Sequence, residues 1–430
     1  MNGARSSTAR QPREADWLSV DEAREVILSR VARLGSERVA SAESLGRVLA
    51  ADIESRVAHP AWDNSAMDGF AVRAQDVSSA SREAPVVLSV VEEVAAGAFP
   101  THSVGEGEAI RVMTGAPVPE GADGVIRIEH TEPGPERDTV RVLDSGDAGR
   151  NVRRKGEDLK VGDRPLAAGT LITPAEVGVM ALLGQPEVPV YRRPRVAILS
   201  TGDELADFAD LPLVHEGRRI MNSNSYALRA QVLECGGEPM LLGIARDDRE
   251  SLRRHLEAAA GCDALITSAG LAVGDHDYVK EVLDDLGMAF LFYRVEMRPG
   301  SPFTFGLMRG MPVFALPGNP VSAMVTFEVL VRPALRRMMG LTRYDRPVRS
   351  VELGEAVSTG GRLTHFYRAK LEPREGGGWV ARLTGPQGSG ILTSMTEADA
   401  LIRIPPDASL APGELVPAIV LRDWEVIGNR

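Results

Sequence analysis

Between about residues 195 and 340 the sequence repeats one unit: a short unbroken apolar run, a loop, then an amphipathic stretch at helical spacing. The runs are VAILS at 196–200, MLLGI at 240–244, ALITS at 264–268 and VFALP at 313–317, and the helical stretches cover about 225–235, 248–260 and 278–286. A strand that is apolar at every position must be covered on both faces. Strands alternating with helices therefore predict an α/β fold, with a mostly parallel sheet between helical layers. Asn319 and Pro320 open a further long helix that reaches about Met338. Pro333 must bend that helix or stand at a break in it, because it has no N–H to donate.

At 430 residues the chain is too long for that unit alone, and several domains are expected. Its 43% hydrophobic and 25% charged residues are ordinary globular composition, which excludes disorder as the main state. Residues 1–15 carry Arg5, Arg10 and Arg13 without an apolar core and read as a loose tail rather than a signal peptide. From Leu18 apolar residues recur at helical spacing behind an S-x-x-E capping box, Ser19 and Glu22. A second short helical stretch is expected at 41–50. Residues 57–149 change to β-type runs such as VVLSVVEEV (86–94) and AIRVM (109–113), separated by Gly and Pro turns. Thr173, Pro174 and Glu176 open another helix that Gly184 stops. Beyond Leu341, VRSVEL, HFYRAKL, WVARL, ALIRI and LVPAIVLR read as strands of a final β domain.

Several function classes drop out. The net charge of −11 and pI of about 5.3 supply no basic field for nucleic acid or a membrane surface. Two cysteines, Cys235 and Cys262, allow neither a disulfide framework nor a thiolate zinc site and point to the reducing cytoplasm. No run approaches the roughly 18 apolar residues of a membrane helix. The seven histidines form no HExxH, and GxSxG, P-loop and GxGxxG signatures are missing.

In an open α/β sheet, ligands bind beyond the carboxyl ends of the strands. The loops expected there are Thr201-Gly202-Asp203-Glu204, Ala245-Arg246-Asp247-Asp248, the segment from Ser268 to Asp277, and Gly318-Asn319-Pro320. Carboxylates on three of these loops suit a hard cation such as Mg²⁺, which bridges carboxylates to substrate phosphates. Glycine amides at helix starts suit an anion. Asp247 also forms a D-x-x-E box with Glu250, so an N-cap is its competing role. Arg294 and Arg298 lie four apart on an extended run, a same-sided spacing that fits one anionic ligand. In PAWDNSAMDGFAV (60–72), Asp63, Asn64, Ser65 and Asp68 form a polar loop anchored by Trp62, Met67 and Phe70, and Thr114 precedes a Gly-Ala-Pro turn.

At these residues the chain resembles the molybdopterin molybdenumtransferase family, the bacterial MoeA proteins and the gephyrin E domain. DNSAMDGFAV, RVMTGAPVPEGAD, NVRRKGEDL, VAILSTGDEL, GDHDYVK and LPGNPVSA carry the likeness, which runs from about residue 17 to 425. It implies a homodimer whose chain comprises a discontinuous helical dimerisation domain (16–56 and 150–190), a β-rich insert (57–149), a molybdopterin-binding-like α/β domain (191–340) and a β-barrel-like C-terminal domain (341–430). The implied reaction inserts molybdenum from molybdate into adenylylated molybdopterin with Mg²⁺ present and releases AMP and molybdenum cofactor. The resemblance assigns catalytic roles to Asp68, Thr114, Asp158, Glu204 and Asp247. It assigns substrate binding to Ser268, Gly270, Gly274, Arg294, Arg298, Pro317 and Pro320, and metal binding to Asp277 with Glu204 and Asp247. Molybdopterin adenylyltransferase and molybdoenzyme delivery proteins are the implied partners.

The sequence departs from the family pattern at a few clustered positions. Ala269 and Ala272 stand for a Gly and a Ser, Ser301 for a Lys, Asn222 for an Asp, and Arg294 and Arg298 for lysines. An added Cβ and lost polar groups beside a phosphate weaken binding. They raise a second reading, a paralogue with altered or lost insertion that binds a pterin or scaffolds other proteins. The carboxylates kept on several loops favour the insertase.

Overall fold

A computed structural model describes residues 17–95, 97–269 and 278–422. Two compact units emerge: a smaller one from Ala40–Leu45 and Ala51–Val188, and a larger one from the remainder. In the larger unit, α1 (Val20–Arg30) starts at the expected box, with Ser19 Oγ accepting from Glu22 N at 3.3 Å and Glu22 returning a bond to Ser19 N. Its inner face, Val20, Ala23 and Ile27, packs into the core that the α/β elements build. Helix α1 groups with the larger unit, and residues 150–188 with the smaller one. The helical stretch expected at 41–50 is a single 3₁₀ turn at Ser41–Glu43.

The smaller unit is built on a six-stranded sheet of β1 (Gly69–Val72), β2 (Val86–Val94), β3 (Glu108–Val112), β4 (Gly124–Arg127), β5 (Thr131–Pro133) and β6 (Thr139–Val142), in the order β4-β1-β3-β2-β6-β5. Only β2 and β3 run parallel. Gly69 is required in β1, because a Cβ there would stand 1.9 Å from the Ile126 carbonyl oxygen. Helix α2 (Pro174–Leu182) opens at Thr173 with the capping box read from the sequence.

The larger unit holds the predicted strand and helix series: β7 (Arg195–Thr201), α3 (Ser223–Glu234), β8 (Glu238–Ala245), α4 (Arg249–Glu257), β9 (Ala264–Ser268), α5 (Tyr278–Asp285), β10 (Met288–Phe292), β11 (Thr304–Met308) and β12 (Met311–Leu316). The sheet order is β8-β7-β9-β12-β11-β10, with the first four strands parallel and β11 antiparallel to both β12 and β10. The central strands β7 and β9 are buried along nearly their whole length, whereas β8 is only half-buried because it is an edge strand.

The long helix after β12 comprises α6 (Pro320–Thr326), a π turn (Phe327–Val331) and α7 (Arg332–Met338). Pro333 sits just past the widened turn, as its missing N–H requires. The carbonyl of Val329, which an ordinary helix would pair with the N–H that residue 333 lacks, accepts from Arg24 Nη1 at 2.6 Å. Helix α1 is thereby tied to the break.

Five further strands, β13 (Val348–Leu353), β14 (Thr364–Pro373), β15 (Trp379–Leu383), β16 (Ala400–Ile404) and β17 (Leu415–Val420), close into a barrel in the order β14-β15-β13-β17-β16 through a final β14–β16 ladder. One short helix, Thr393–Glu397, interrupts the otherwise all-β C-terminal region. No helix among the described residues is long and apolar enough to cross a membrane.

Candidate active site

A cavity of about 720 Å³ opens where the parallel strands end. Thr201 and Glu204 reach it from the end of β7, Ser268 and Ala269 from β9, and Pro317, Gly318, Asn319 and Pro320 from the passage between β12 and α6. Asn222, Ser223 and Asn224 at the start of α3 face it, with Arg294 and Pro302. Of the sequence-predicted residues, Glu204, Ser268, Arg294, Pro317 and Pro320 are brought together here.

The walls are fixed by short polar links. Asn222, 2% exposed, caps α3: its Oδ1 accepts from Ser225 N at 3.3 Å and from Ser200 Oγ at 2.9 Å, while its Nδ2 donates to Ser225 Oγ at 2.9 Å. The amide thus does work that a charged carboxylate would do at a desolvation cost. Asn224 Nδ2 bridges Ser268 Oγ and the Gly318 carbonyl, 2.7 Å from each, and clamps the β9 loop to the α6 entry. Sequence reasoning did not select Asn224, since only the folded sheet brings β9 beside β12. The Thr201 hydroxyl borders the cavity, buried and without a partner among the described residues. Glu204 folds back so closely that a Cβ at Gly202 would stand 2.5 Å from its Oε2.

Asp247 lies outside the lining. Its neighbour Asp248 is the cap of α4, accepting from Ser251 N at 2.7 Å. The capping role expected of Asp247 is therefore wrong by one residue. Asp247 is left exposed, and its Oδ2 approaches the amide of Asp203, next to Glu204, at 3.4 Å. Gly270, Gly274 and Asp277, together with Ala272, lie outside the described residues. Among the described residues no group of three or more His, Cys, Asp or Glu side chains converges as a metal cage.

Ala269 holds φ at 69°, a left-handed conformation in which a Cβ crowds the backbone. Its Cβ also faces Gly318 across the cavity floor, 3.2 Å from where a Cβ on that residue would stand. Ala269→Gly should raise stability by about 0.5–1 kcal/mol, the relieved strain exceeding the added chain entropy. Thermal unfolding checks this, and a fall in the midpoint would contradict it.

Arg298 belongs to a second cavity of about 570 Å³, lined by Arg298, Pro299, Ser358, Thr359, His365, Tyr367, Arg368 and Gly388 among others. The expected same-sided pairing of Arg294 and Arg298 is not found. Residues 294–295 pair with 17–18 while 297–298 pair with β14, so the chain changes partner between them. Arg368 is fully buried, yet its Nη1 has no partner among the described residues. Its Nε donates to Ser394 Oγ and its Nη2 to the Gly388 carbonyl, both at 3.1 Å. Burial lowers its pKa, and among the described residues no carboxylate is paired with it. Burial, with Arg298 alongside, likewise holds His365 below its ordinary value and therefore neutral near pH 7. Arg298 lines the cavity and Arg368 is buried in its wall, and among the described residues neither has an ion pair with a carboxylate.

The two cavities flank one turn. Arg298 and Pro299 line the second and Pro302 the first, and Ser301 pins the turn by donating to the Val295 carbonyl at 3.0 Å. They are tied again where Asn319 Nδ2 donates to Ser389 Oγ at 3.0 Å.

In the smaller unit Asp68 Oδ1 accepts from Thr114 N at 2.6 Å and from Thr114 Oγ1 at 2.8 Å, and these bonds hold its carboxyl below the usual range. The same loop meets residues 150–159: Asp63 pairs with Arg154 at 2.7 Å and accepts from Lys155 N, and Asp158 N bonds the His59 carbonyl. Asp158 is exposed on that segment.

A parallel sheet with a cavity at its carboxyl edge, beside a second cavity bordered by the closed β-barrel, defines a multidomain α/β protein. Three family models cover the chain in succession: MoeA N-terminal region (domain I and II) over 18–184, probable molybdopterin binding domain over 197–337, and MoeA C-terminal region (domain IV) over 350–421. Relatives include the molybdopterin molybdenumtransferase of a Nostoc strain, 37% identical over 90% of both chains, and molybdopterin molybdenumtransferase 2 of Mycobacterium tuberculosis, 36% identical over 95% of this chain and 99% of the relative. The crystal structure of the molybdopterin biosynthesis MoeA protein of Pyrococcus horikoshii superposes with a TM-score of 0.81 at 32% identity, over 94% of this chain and 100% of that one. The chain belongs to the MoeA family.

Proposed function

We propose that this protein is a molybdopterin molybdenumtransferase: it takes adenylylated molybdopterin and molybdate, inserts molybdenum and releases AMP, working as a cytoplasmic homodimer with Mg²⁺. The observation that carries this reading is the adjacency of the two cavities across the 298–302 turn. The first has the volume, helix start and cation for a nucleotide-bearing substrate. The second offers Arg298 and the unpaired Arg368 to a tetrahedral dianion.

Ser268, Asn224 and the amides before α6 orient the phosphate, and Arg294 answers its charge. The oxygen donors offered to a metal are Glu204 and the Thr201 hydroxyl in the cavity lining, with Asp247 outside it on the neighbouring loop, where it accepts from the Asp203 amide. That set fits Mg²⁺, which takes one or two carboxylates and completes its shell with water and phosphate. When bound, the ion would neutralise the phosphate. The family resemblance assigns catalytic roles to Asp68, whose carboxylate the Thr114 bonds favour, and to Asp158, both in the smaller unit. The molybdopterin adenylyltransferase and a molybdoenzyme delivery protein are the partners this role calls for.

Asn222 caps α3 and Ser301 pins the 298–302 turn, so these two departures keep structural roles and lend the scaffold alternative no support. The test is AMP release by the purified protein supplied with adenylylated molybdopterin and Mg²⁺, with and without molybdate. Molybdate-dependent release is the expected result, and its absence would overturn the proposal. Sedimentation should give twice the 46.1 kDa chain mass.

A further inference from the structure

We propose that Trp17 is a positioning residue for Arg294, holding the guanidinium at the edge of the first cavity. The inference rests on the reading of that cavity as the nucleotide end of the site.

Residues Trp17 and Leu18 form a short parallel ladder with Arg294 and Val295, Trp17 lying opposite Arg294 itself. Glu296 N closes the ladder on the Leu18 carbonyl at 2.8 Å. Leu18 packs against the α/β core, so the indole is anchored from its own backbone and from the next residue. The Arg294 guanidinium carbon lies 5.1 Å from the Trp17 ring centroid, and that of Arg362 lies 4.2 Å from it. Arg362 Nε is in turn 3.5 Å from Glu296 Oε1. Among the described residues, Arg294 and Arg362 are the cations over the indole, and Glu296 pairs with Arg362.

Arg294 has no ion pair with a carboxylate among the described residues, and a long side chain at a cavity rim otherwise loses much rotamer freedom when it engages a ligand. An indole face is the aromatic surface that attracts a guanidinium most strongly. Stacking aligns the planar fork, leaving its N–H edge for a bidentate grip on phosphate oxygens. This gives a physical reason for arginine at a position where the family resemblance leads one to expect lysine. A compact ammonium on a flexible stem gains less from a flat platform than a planar guanidinium does. Trp17 touches no substrate in this scheme and acts through Arg294.

The test uses the full-length protein and AMP as the probe, with binding measured by calorimetry. Arg294→Ala should weaken AMP binding at least tenfold. Trp17→Leu should weaken it about fivefold, Trp17→Phe should restore most of that loss, and Trp17→Leu added to Arg294→Ala should cost nothing further. Unchanged AMP affinity in Trp17→Leu, beside a loss in Arg294→Ala, would overturn the inference while leaving the cavity reading intact. An equal loss from Trp17→Leu in both backgrounds would also overturn it, by showing an effect that does not pass through Arg294. If Arg294→Ala binds AMP as the unaltered protein does, the cavity reading itself fails, and the inference with it.

Discussion

Arg368→Met is expected to raise the molybdate concentration needed for half-maximal AMP release roughly 100-fold, corresponding to about 3 kcal/mol of lost charge-assisted hydrogen bonding, while leaving the fold as stable as before or more so. The two halves of that expectation have one cause. A guanidinium with no exposure, an Nη1 without a partner and no paired carboxylate among the described residues costs desolvation energy that the Ser394 and Gly388 bonds offset only in part. An apolar side chain of similar length removes that cost, as replacement of buried charge by well-packed apolar groups generally does. It also removes a cation from the second cavity, where Arg298 alone would then face the dianion. Steady-state AMP release against molybdate concentration, together with thermal unfolding of the same variant, separates the outcomes. A lowered midpoint with unchanged molybdate dependence would mean that Arg368 is a structural tie between Ser394 and Gly388 and not an anion ligand.

Arg368 also shows where sequence reading stops. The strand HFYRAKL was legible, but its phase was not. Phe366 and Arg368 point the same way, Phe366 into the α/β core, whereas Tyr367, Ala369 and Leu371 face the barrel interior. A single arginine at alternate spacing reads as a solvated face unless both faces are known to be covered. The same limit applies to Arg294 and Arg298. Period-2 spacing predicts one side only while the strand keeps one partner, and here the partner changes between residues 295 and 297.

Features decided within a few residues were read correctly. The Ser19 and Thr173 boxes form as expected, because a cap is a local contest among side chain, backbone and water. The apolar runs VAILS and ALITS become buried central strands, because only burial on both faces accounts for them. At 247–248 the D-x-x-E spacing points to Asp247, but Asp248, with extended φ and ψ, is the residue that caps the helix through Ser251 N, a one-residue shift that spacing does not resolve. The packing of α1 was out of reach for a different reason. Its inner face is equally apolar whichever partner covers it, and the tie that selects the partner, Arg24 to the Val329 carbonyl, spans 305 residues.

Beneath that same break the largest stability effect is expected. Glu328, 6% exposed in the π turn, accepts from Arg346 Nε at 2.6 Å and from Gln231 Nε2 at 2.8 Å, with Arg332 Nε 3.9 Å away. Burial alone would lower Arg346, but the hydrogen bond and charge of Glu328 hold it well above the usual arginine value. Arg336 is pulled below it by burial and by neighbouring Arg332. Glu328 is thus the buried anion among three arginines, and Glu234, which also bonds Arg346, is half in solvent. Glu328→Gln keeps the shape and removes the charge, leaving the cations uncompensated, and should destabilise the larger unit by about 3–5 kcal/mol. Glu328→Leu combined with Arg346→Met should recover much of that, since removing a buried pair together costs far less than orphaning one member. Urea unfolding of the two variants beside the unaltered chain tests the argument. A double variant at least as unstable as Glu328→Gln would show that the cluster contributes through its packing, and that the arginines find their balance in solvent.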